Sequence, residues 1–323
     1  RWFQTIHPYL ALALSLTVAF PNLRWQWQHD WPLFRHLQEL SETQLVHVAP
    51  LDFLAAQLGM HGAGLLVWAA GLYWLFSRAG KSFRPVGWAF LFVITSLLLL
   101  SGKPYYATGA YTALFAAGGI WWEQWLSAKK PALTAALPAV IFLLNLPAYP
   151  YSLPLFPIEN MARYCQWMRD HLGWEAPLVW EDGQVHQLPQ DYADMHGWEE
   201  LPAKVAAFYH RLPEPARRRC LLWGGNYGHA GALNYYRSAY DLPEAISLSS
   251  SYALWAPDSL YFDRLLLVDD VRQDYSEWFA HSELIDSIRH PLARDPGYIY
   301  YRHTPRVDVA AAYRALMRER RAQ

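Results

Sequence analysis

The chain is poor in cysteine: Cys165 and Cys220 are its two among 323 residues, too few for a disulfide framework and too far apart for a Cys-x-x-Cys metal motif. A bond between them is open, because both fall on the side expected to be oxidising, but a domain of this size does not need one. The histidines are scattered with no His-x-x-x-His pair, so neither a metal site nor a cofactor is evident. No Gly-x-Ser-x-Gly elbow occurs, and the one hydrolase trio that could be written, Ser251, His229 and Asp269, reads as coincidence. Acidic residues are missing from a whole region. Residues 53–150 hold long apolar runs and a single acid, Glu123, whereas residues 151–323 have an ordinary water-soluble composition. That division places any function at, or across, a bilayer surface.

A helix needs about 20 apolar residues to cross a hydrocarbon core of roughly 30 Å. Ile6–Phe20, Phe53–Phe76, Val86–Leu100, Tyr105–Leu126 and Ala132–Ala148 meet or approach that length, and backbone groups in lipid must pair within a helix. The expected fold is a membrane α-helical bundle of about five transmembrane helices over residues 1–150, followed by a soluble α/β domain over 151–323. Arg1, then Arg78, Lys81 and Arg84, then Lys129 and Lys130 fall in alternate loops, which the positive-inside bias makes cytoplasmic. Residues 21–52, the Ser101–Pro104 link and everything after Tyr149 then face outward, which in a bacterial inner membrane means the periplasm. Trp68, Trp74, Trp88, Trp121, Trp122 and Trp125 fall within or near span ends, as an interfacial belt would. In the amphipathic loop 21–52, Asp30 is placed to cap a helix with Pro32 in its first turn and Leu33, Leu37 and Leu40 on one face. Arg24 and Arg35 among Trp25, Trp27 and Trp31 suit a segment in the headgroup layer, but a surface helix bracing two spans is the reading the sequence alone favours.

Lys103 lies on the outer side, where the positive-inside rule does not put a lysine. Its ammonium can meet a lipid phosphate as a point charge, flanked by Tyr105 and Tyr106, or it can snorkel to water from a helix end. Its segment, Gly102-Lys103-Pro104-Tyr105-Tyr106-Ala107-Thr108-Gly109-Ala110-Tyr111, resembles the G-K-x-Y-Y-x-x-P-x-Y stretch of the family 39 membrane glycosyltransferases. Relatives in that family are the protein O-mannosyltransferases and the lipid A aminoarabinose transferase. Pro21 to Pro32 is similar to the family's P-N-L-x-W-Q-x-Q-x-x-W-P, and Tyr192–Leu201, Gly225–Ala232 and Ser247–Pro257 resemble segments of bacterial members. The chain departs from the pattern at Gly109, His229, Ser249 and Ser250, where the family often has Pro, an acid and His-Asn.

The resemblance implies a C-type glycosyltransferase that takes a sugar from a polyprenyl-phosphate carrier and passes it to a glycan, lipid or protein acceptor outside, without a nucleotide sugar. Lys103, Tyr105, Tyr106 and Arg24 would serve the lipid phosphate and donor. The family's catalytic acid lies in a first outer loop. Because the chain opens on Arg1 directly before an apolar run, that acid, and any divalent metal, are expected upstream, and the isolated chain is expected to be inactive. Asp30 and Asp52 are not nominated as the base. Nucleic acid is not an expected partner. The rival expectation is a non-catalytic, membrane-anchored protein that binds or scaffolds envelope glycans.

In the soluble half, Met161, Cys165, Met168 and Leu172 predict one helix face, ended by Gly173, and Trp198, Leu201, Val205, Phe208 and Leu212 a second. Leu178–Trp180, Cys220–Trp223, Ala245–Leu248, Leu265–Val268 and Tyr298–Tyr301 read as short buried strands between helices, hence a mainly parallel sheet. A last helix near Val307–Arg321 carries several arginines. Gly224 to Gly231 follows a strand and opens a helix, where a phosphate-binding turn would sit. No acidic ribose ligand follows, so it reads first as a tight turn presenting Asn226 and Tyr227, and second as a sugar or phosphate contact. Asn226, Tyr227, His229, Ser251, Tyr252 and Trp255 are the candidate acceptor or sugar contacts, although plain packing suits the last three as well.

Overall fold

The computed structural model describes residues 4–43, 49–127, 131–272 and 277–322. The positions of Arg1, Lys129 and Lys130, on which the expected orientation partly rests, lie outside them. The chain divides into two compact units, Arg1–Ser152 and Leu153–Gln323.

The first unit is helical: α1 (His7–Gln28), α2 (Pro32–Thr43), α3 (Pro50–Gly59), α4 (Leu65–Phe76), α5 (Arg84–Leu99), α6 (Tyr111–Ser127), α7 (Pro131–Asn145) and α8 (Tyr149–Ser152). Among the described residues one continuous helix, Lys81–Leu99, is long and apolar enough to cross a membrane, and the α3–α4 pair adds a second if counted as one span. That pair corrects the expected straight span Phe53–Phe76, because the chain bends by 90° between α3 and α4. The bend is held by a residue far along the chain. Gly62 takes φ +50°, and a Cβ there would lie 2.2 Å from Asn145 Oδ1. That oxygen instead accepts the Ala63 N–H at 3.0 Å, supplying a backbone partner that the broken helix lacks.

Two more expectations are corrected nearby. The loop expected from Pro21 begins later, since α1 runs through Pro21 to Gln28. Asp30 does not cap α2; it sits in the left-handed region at φ 55°, and the Leu33 N–H is taken by Gln26 Oε1 at 3.2 Å. Trp68 and Trp74 are buried at 9% and 7% exposure, where an interfacial belt would leave them outside. They pack instead with Phe90, Ala107, Tyr111 and Leu114 in the unit's core, Trp68 edge-on to Tyr111 at 5.3 Å. The tightest approach is between α4 and α6, where a Cβ on Gly71 would lie 1.9 Å from the Leu114 carbonyl oxygen.

The second unit holds α9 (Ile158–Leu172), α10 (Gln190–Ala193), α11 (Glu200–Tyr209), α12 (Glu214–Arg217), β1 (Cys220–Gly224), α13 (Tyr227–Tyr240), β2 (Ala245–Ile246), β3 (Arg264–Asp269), β4 (Phe279–Asp286), β5 (Tyr298–Pro305) and α14 (Val309–Ala322). Its five-stranded sheet has the order β2-β1-β3-β5-β4. β1 runs parallel to β2 and β3, while β5 runs antiparallel to β3 and β4, so the sheet is mixed rather than mainly parallel. The difference is β4, an edge strand in which His281, Ser282, Glu283 and Asp286 hide the apolar alternation. Leu178–Trp180 is not a strand; a short 3-10 turn, Ala176–Leu178, leads to a single bridge between Val179 and Val185.

Both faces of the sheet are covered. Leu201 and Val205 of α11 and Leu233 of α13 pack on Leu222, Leu266 and Val268; Tyr313 and Met317 of α14 pack with Leu265, Leu267 and Tyr300 on the other side. Met161, Cys165 and Met168 form the buried face of α9, and Gly173 ends it at φ +65°, but Leu172 stays 53% exposed. Cys165 and Cys220 are both buried and are not joined in a disulfide, and burial pushes the Cys220 thiol up to about 12. Neither should react with iodoacetamide at pH 8 in the native chain, and both should be alkylated in denaturant; native labelling of either, read by mass, would contradict this burial.

Candidate functional site

Because β1, β2 and β3 are parallel, their carboxyl ends share one edge. The connection through α13 packs on one face of the sheet, and Ala253 of the Ser250–Leu254 turn packs on the other. Gly224 and Gly225 close β1 at that edge. A Cβ on Gly224 would lie 2.4 Å from the Ala230 nitrogen, and one on Gly225 would lie 3.0 Å from Asp269 Oδ1. Glycine at both positions lets the start of α13 and the Asp269 carboxyl converge.

Asn226 is the N-cap of α13, its Oδ1 accepting the His229 N–H at 3.0 Å. His229 is fully buried, and its Nε2–H donates to Asp295 Oδ2 at 2.7 Å. Asp295 Oδ1 accepts the Gly297 N–H at 2.7 Å. Burial works to raise the pKa of Asp295, but the hydrogen bond and charge of His229 and the Gly297 N–H outweigh it, so the carboxyl is held below its usual range. His229 Nδ1 is buried without a hydrogen-bond partner among the described residues. On the β3 side, Asp269 is pushed the other way, first by burial and then by a hydrogen bond and repulsion from Asp270.

The six candidates of this unit therefore fall into two turns at one edge. Asn226, Tyr227 and His229 share the turn after β1, with Tyr227 exposed and His229 beneath it. Ser251, Tyr252 and Trp255 lie in the turn after the neighbouring β2. Tyr252 and Trp255 meet edge-on at 5.5 Å, Trp255 is 75% exposed, and the Tyr252 hydroxyl accepts from Asn234 Nδ2 at 3.4 Å. The trio of Ser251, His229 and Asp269 is not assembled, because the carboxylate on His229 is Asp295. Asp295 was not legible in the sequence: it lies 66 residues from His229 in a loop without a motif.

In the first unit, Lys103 precedes the 3-10 segment Pro104–Ala110. Its Nζ lies 6.0 Å from the Tyr105 ring centroid, and Tyr105 and Tyr106 meet edge-on at 4.9 Å, both exposed. The turn is pinned from behind: Gln57 Nε2 donates to the Pro104 carbonyl at 3.1 Å, and Tyr111 Oη donates to Gln57 Oε1 at 3.0 Å. Gln57 is buried at 4% exposure, a polar anchor that sequence reading passed over because one glutamine in an apolar helix carries no pattern. Lys103, Tyr105 and Tyr106 are thus brought together. Arg24 lies exposed on α1, a helix with no buried residue.

Among the described residues, no three His, Cys, Asp or Glu side chains are grouped to hold a metal ion. No family model, curated protein or solved structure matches the chain.

Proposed function

We propose that the chain works as part of an integral membrane glycosyltransferase of the family 39 kind, moving a sugar from a polyprenyl-phosphate carrier to an extracytoplasmic acceptor. The observation that carries this reading is the pinned turn of Lys103, Tyr105 and Tyr106, which follows the apolar helix Lys81–Leu99. A flexible lysine loses side-chain entropy when it grips a phosphate; a backbone already fixed through Gln57 and Tyr111 lowers what remains to be ordered. In this reading the other apolar helices complete a bundle of about five spans. Arg24 and its tryptophans guide the isoprenoid tail, and the second unit forms part of the acceptor side.

A charge-assisted hydrogen bond is worth about 1.5–3 kcal/mol, so Lys103→Ala in the complete protein should lower sugar transfer about 10- to 100-fold. Lys103→Arg should retain part of it. Transfer at the original rate in Lys103→Ala would remove the role. A second reading, a glycan-binding envelope protein without chemistry, is favoured by the exposed ring of Trp255 beside Tyr252. It would leave no donor-dependent turnover for Lys103→Ala to reduce.

A further inference from the structure

A recess in the Leu153–Gln323 unit borders the turn after β1, its Trp198 ring lying 6.2 Å from the His229 ring. It has a volume of about 560 Å³ and is lined by the segment entering α11 and by α13, with His196, Trp198, Glu199, Glu200, Tyr236 and Tyr240 in its wall. That volume falls within the roughly 300–1,000 Å³ of small-molecule sites. Three aromatic rings and two carboxylates face it, and no lysine or arginine appears in its described lining. Lys204, one turn along α11, has its ammonium held by Glu200 at 2.6 Å and Asp286 at 3.2 Å. A phosphate or carboxylate ligand would meet carboxylates there without a cation to pair with.

Trp198 is fixed rather than loose. Gly197 turns the chain at φ +98°, with Ile288 Cδ1 2.5 Å from where a Cβ would stand. The Trp198 indole N–H is spent on the Asp194 carbonyl, so its ring surface is what it can offer a ligand. Burial first, and repulsion from His290 second, hold the His196 pKa below its usual value, so at neutral pH the imidazole is uncharged and can both donate and accept. Apolar ring faces beside acceptor carboxylates match the two surfaces of a sugar, its C–H face and its hydroxyl rim.

We infer that this cleft binds a neutral oligosaccharide, with Trp198 as the stacking platform and Glu199 as a hydroxyl acceptor. It deepens the proposed function by giving the acceptor side a sugar subsite, and rests on that reading only for the class of molecule handled. The test uses the full chain in lipid nanodiscs and saturation-transfer NMR with three neutral probes, chitotriose, maltotriose and mannotriose, and two charged ones, glucosamine and glucose 6-phosphate. At least one neutral trisaccharide should receive saturation. The transfer should fall about five-fold or more in Trp198→Ala and in Glu199→Gln, the latter chosen because an exposed isostere leaves the fold intact, and persist in Trp167→Ala. Saturation of none of the neutral probes, saturation confined to a charged probe, or neutral-probe saturation that survives both cleft variants would overturn the inference. Lys103→Ala tests the donor reading and the cleft variants test this one, so the two fail separately.

Discussion

Gly118→Ala should abolish the cooperative folding of the helical unit, whereas Gly119→Ala, one residue along the same helix, should stabilise it. A Cβ on Gly118 would lie 1.9 Å from the Val67 carbonyl oxygen and 2.9 Å from Val67 Cγ1, while one on Gly119 meets nothing within 4 Å. The obstruction at Gly118 is backbone, so no rotamer change relieves it, and α4 and α6 must separate. Gly71 makes the reciprocal approach to Leu114, so the crossing is tight from both sides. Overpacking commonly costs about 1–3 kcal/mol and more where backbone must move, while opening this contact also loosens Trp68, Trp74 and Tyr111. At Gly119 the same methyl removes only unfolded-state freedom and improves helix propensity, a gain of about 0.4–1 kcal/mol. Protease resistance of the Arg1–Ser152 unit in the purified chain, followed with temperature, separates the outcomes. Equal resistance in the two variants would mean that α4 and α6 do not cross at these glycines.

Reading the sequence succeeded where a residue's role is local and failed where its partner is distant. Cys220–Trp223 and Leu265–Val268 announce themselves as buried strands because β1 and β3 lie inside the sheet with helices on both faces, which makes their apolar residues continuous. β4 has one neighbour and carries polar residues on an open edge, so nothing in Phe279–Asp286 reads as a strand until β5 is beside it. The same distinction governs the sites. The glycine turn after β1 is visible because two glycines and an asparagine before a helix have a local meaning. The buried pairing of His229 with Asp295 and the anchoring of Pro104 by Gln57 connect segments 66 and 47 residues apart, and no spacing encodes them. Length and hydropathy likewise suggest a straight helix over Phe53–Phe76; the bend depends on Asn145, far along the chain, occupying the space that Gly62 leaves.

Asp295→Ala and Asp269→Asn, on either side of the α13 turn, should change stability in opposite directions. Asp295→Ala removes the acceptor of His229 Nε2–H and leaves the fully buried imidazole with neither nitrogen bonded among the described residues. Stranding a buried polar group costs about 1–3 kcal/mol, roughly 3–10 °C for a unit of this size. The pH dependence follows from the sign of the shift. Asp295 has a folded pKa below its unfolded one, so its contribution is fully present above the ordinary aspartate value, about 3.9, and is lost as pH falls through the lower folded value. Asp269 is raised, so its ionised form burdens the fold once pH exceeds the folded pKa, and acid relieves that burden. At pH 7, Asp269→Asn should therefore raise the melting temperature of the Leu153–Gln323 unit while Asp295→Ala lowers it. On acidification from pH 5 to pH 3 the gap between wild type and Asp295→Ala should narrow, because the wild type is losing the contribution that the variant never had. A gap that stays constant across that range would assign the loss to packing around His229 rather than to the ionised hydrogen bond.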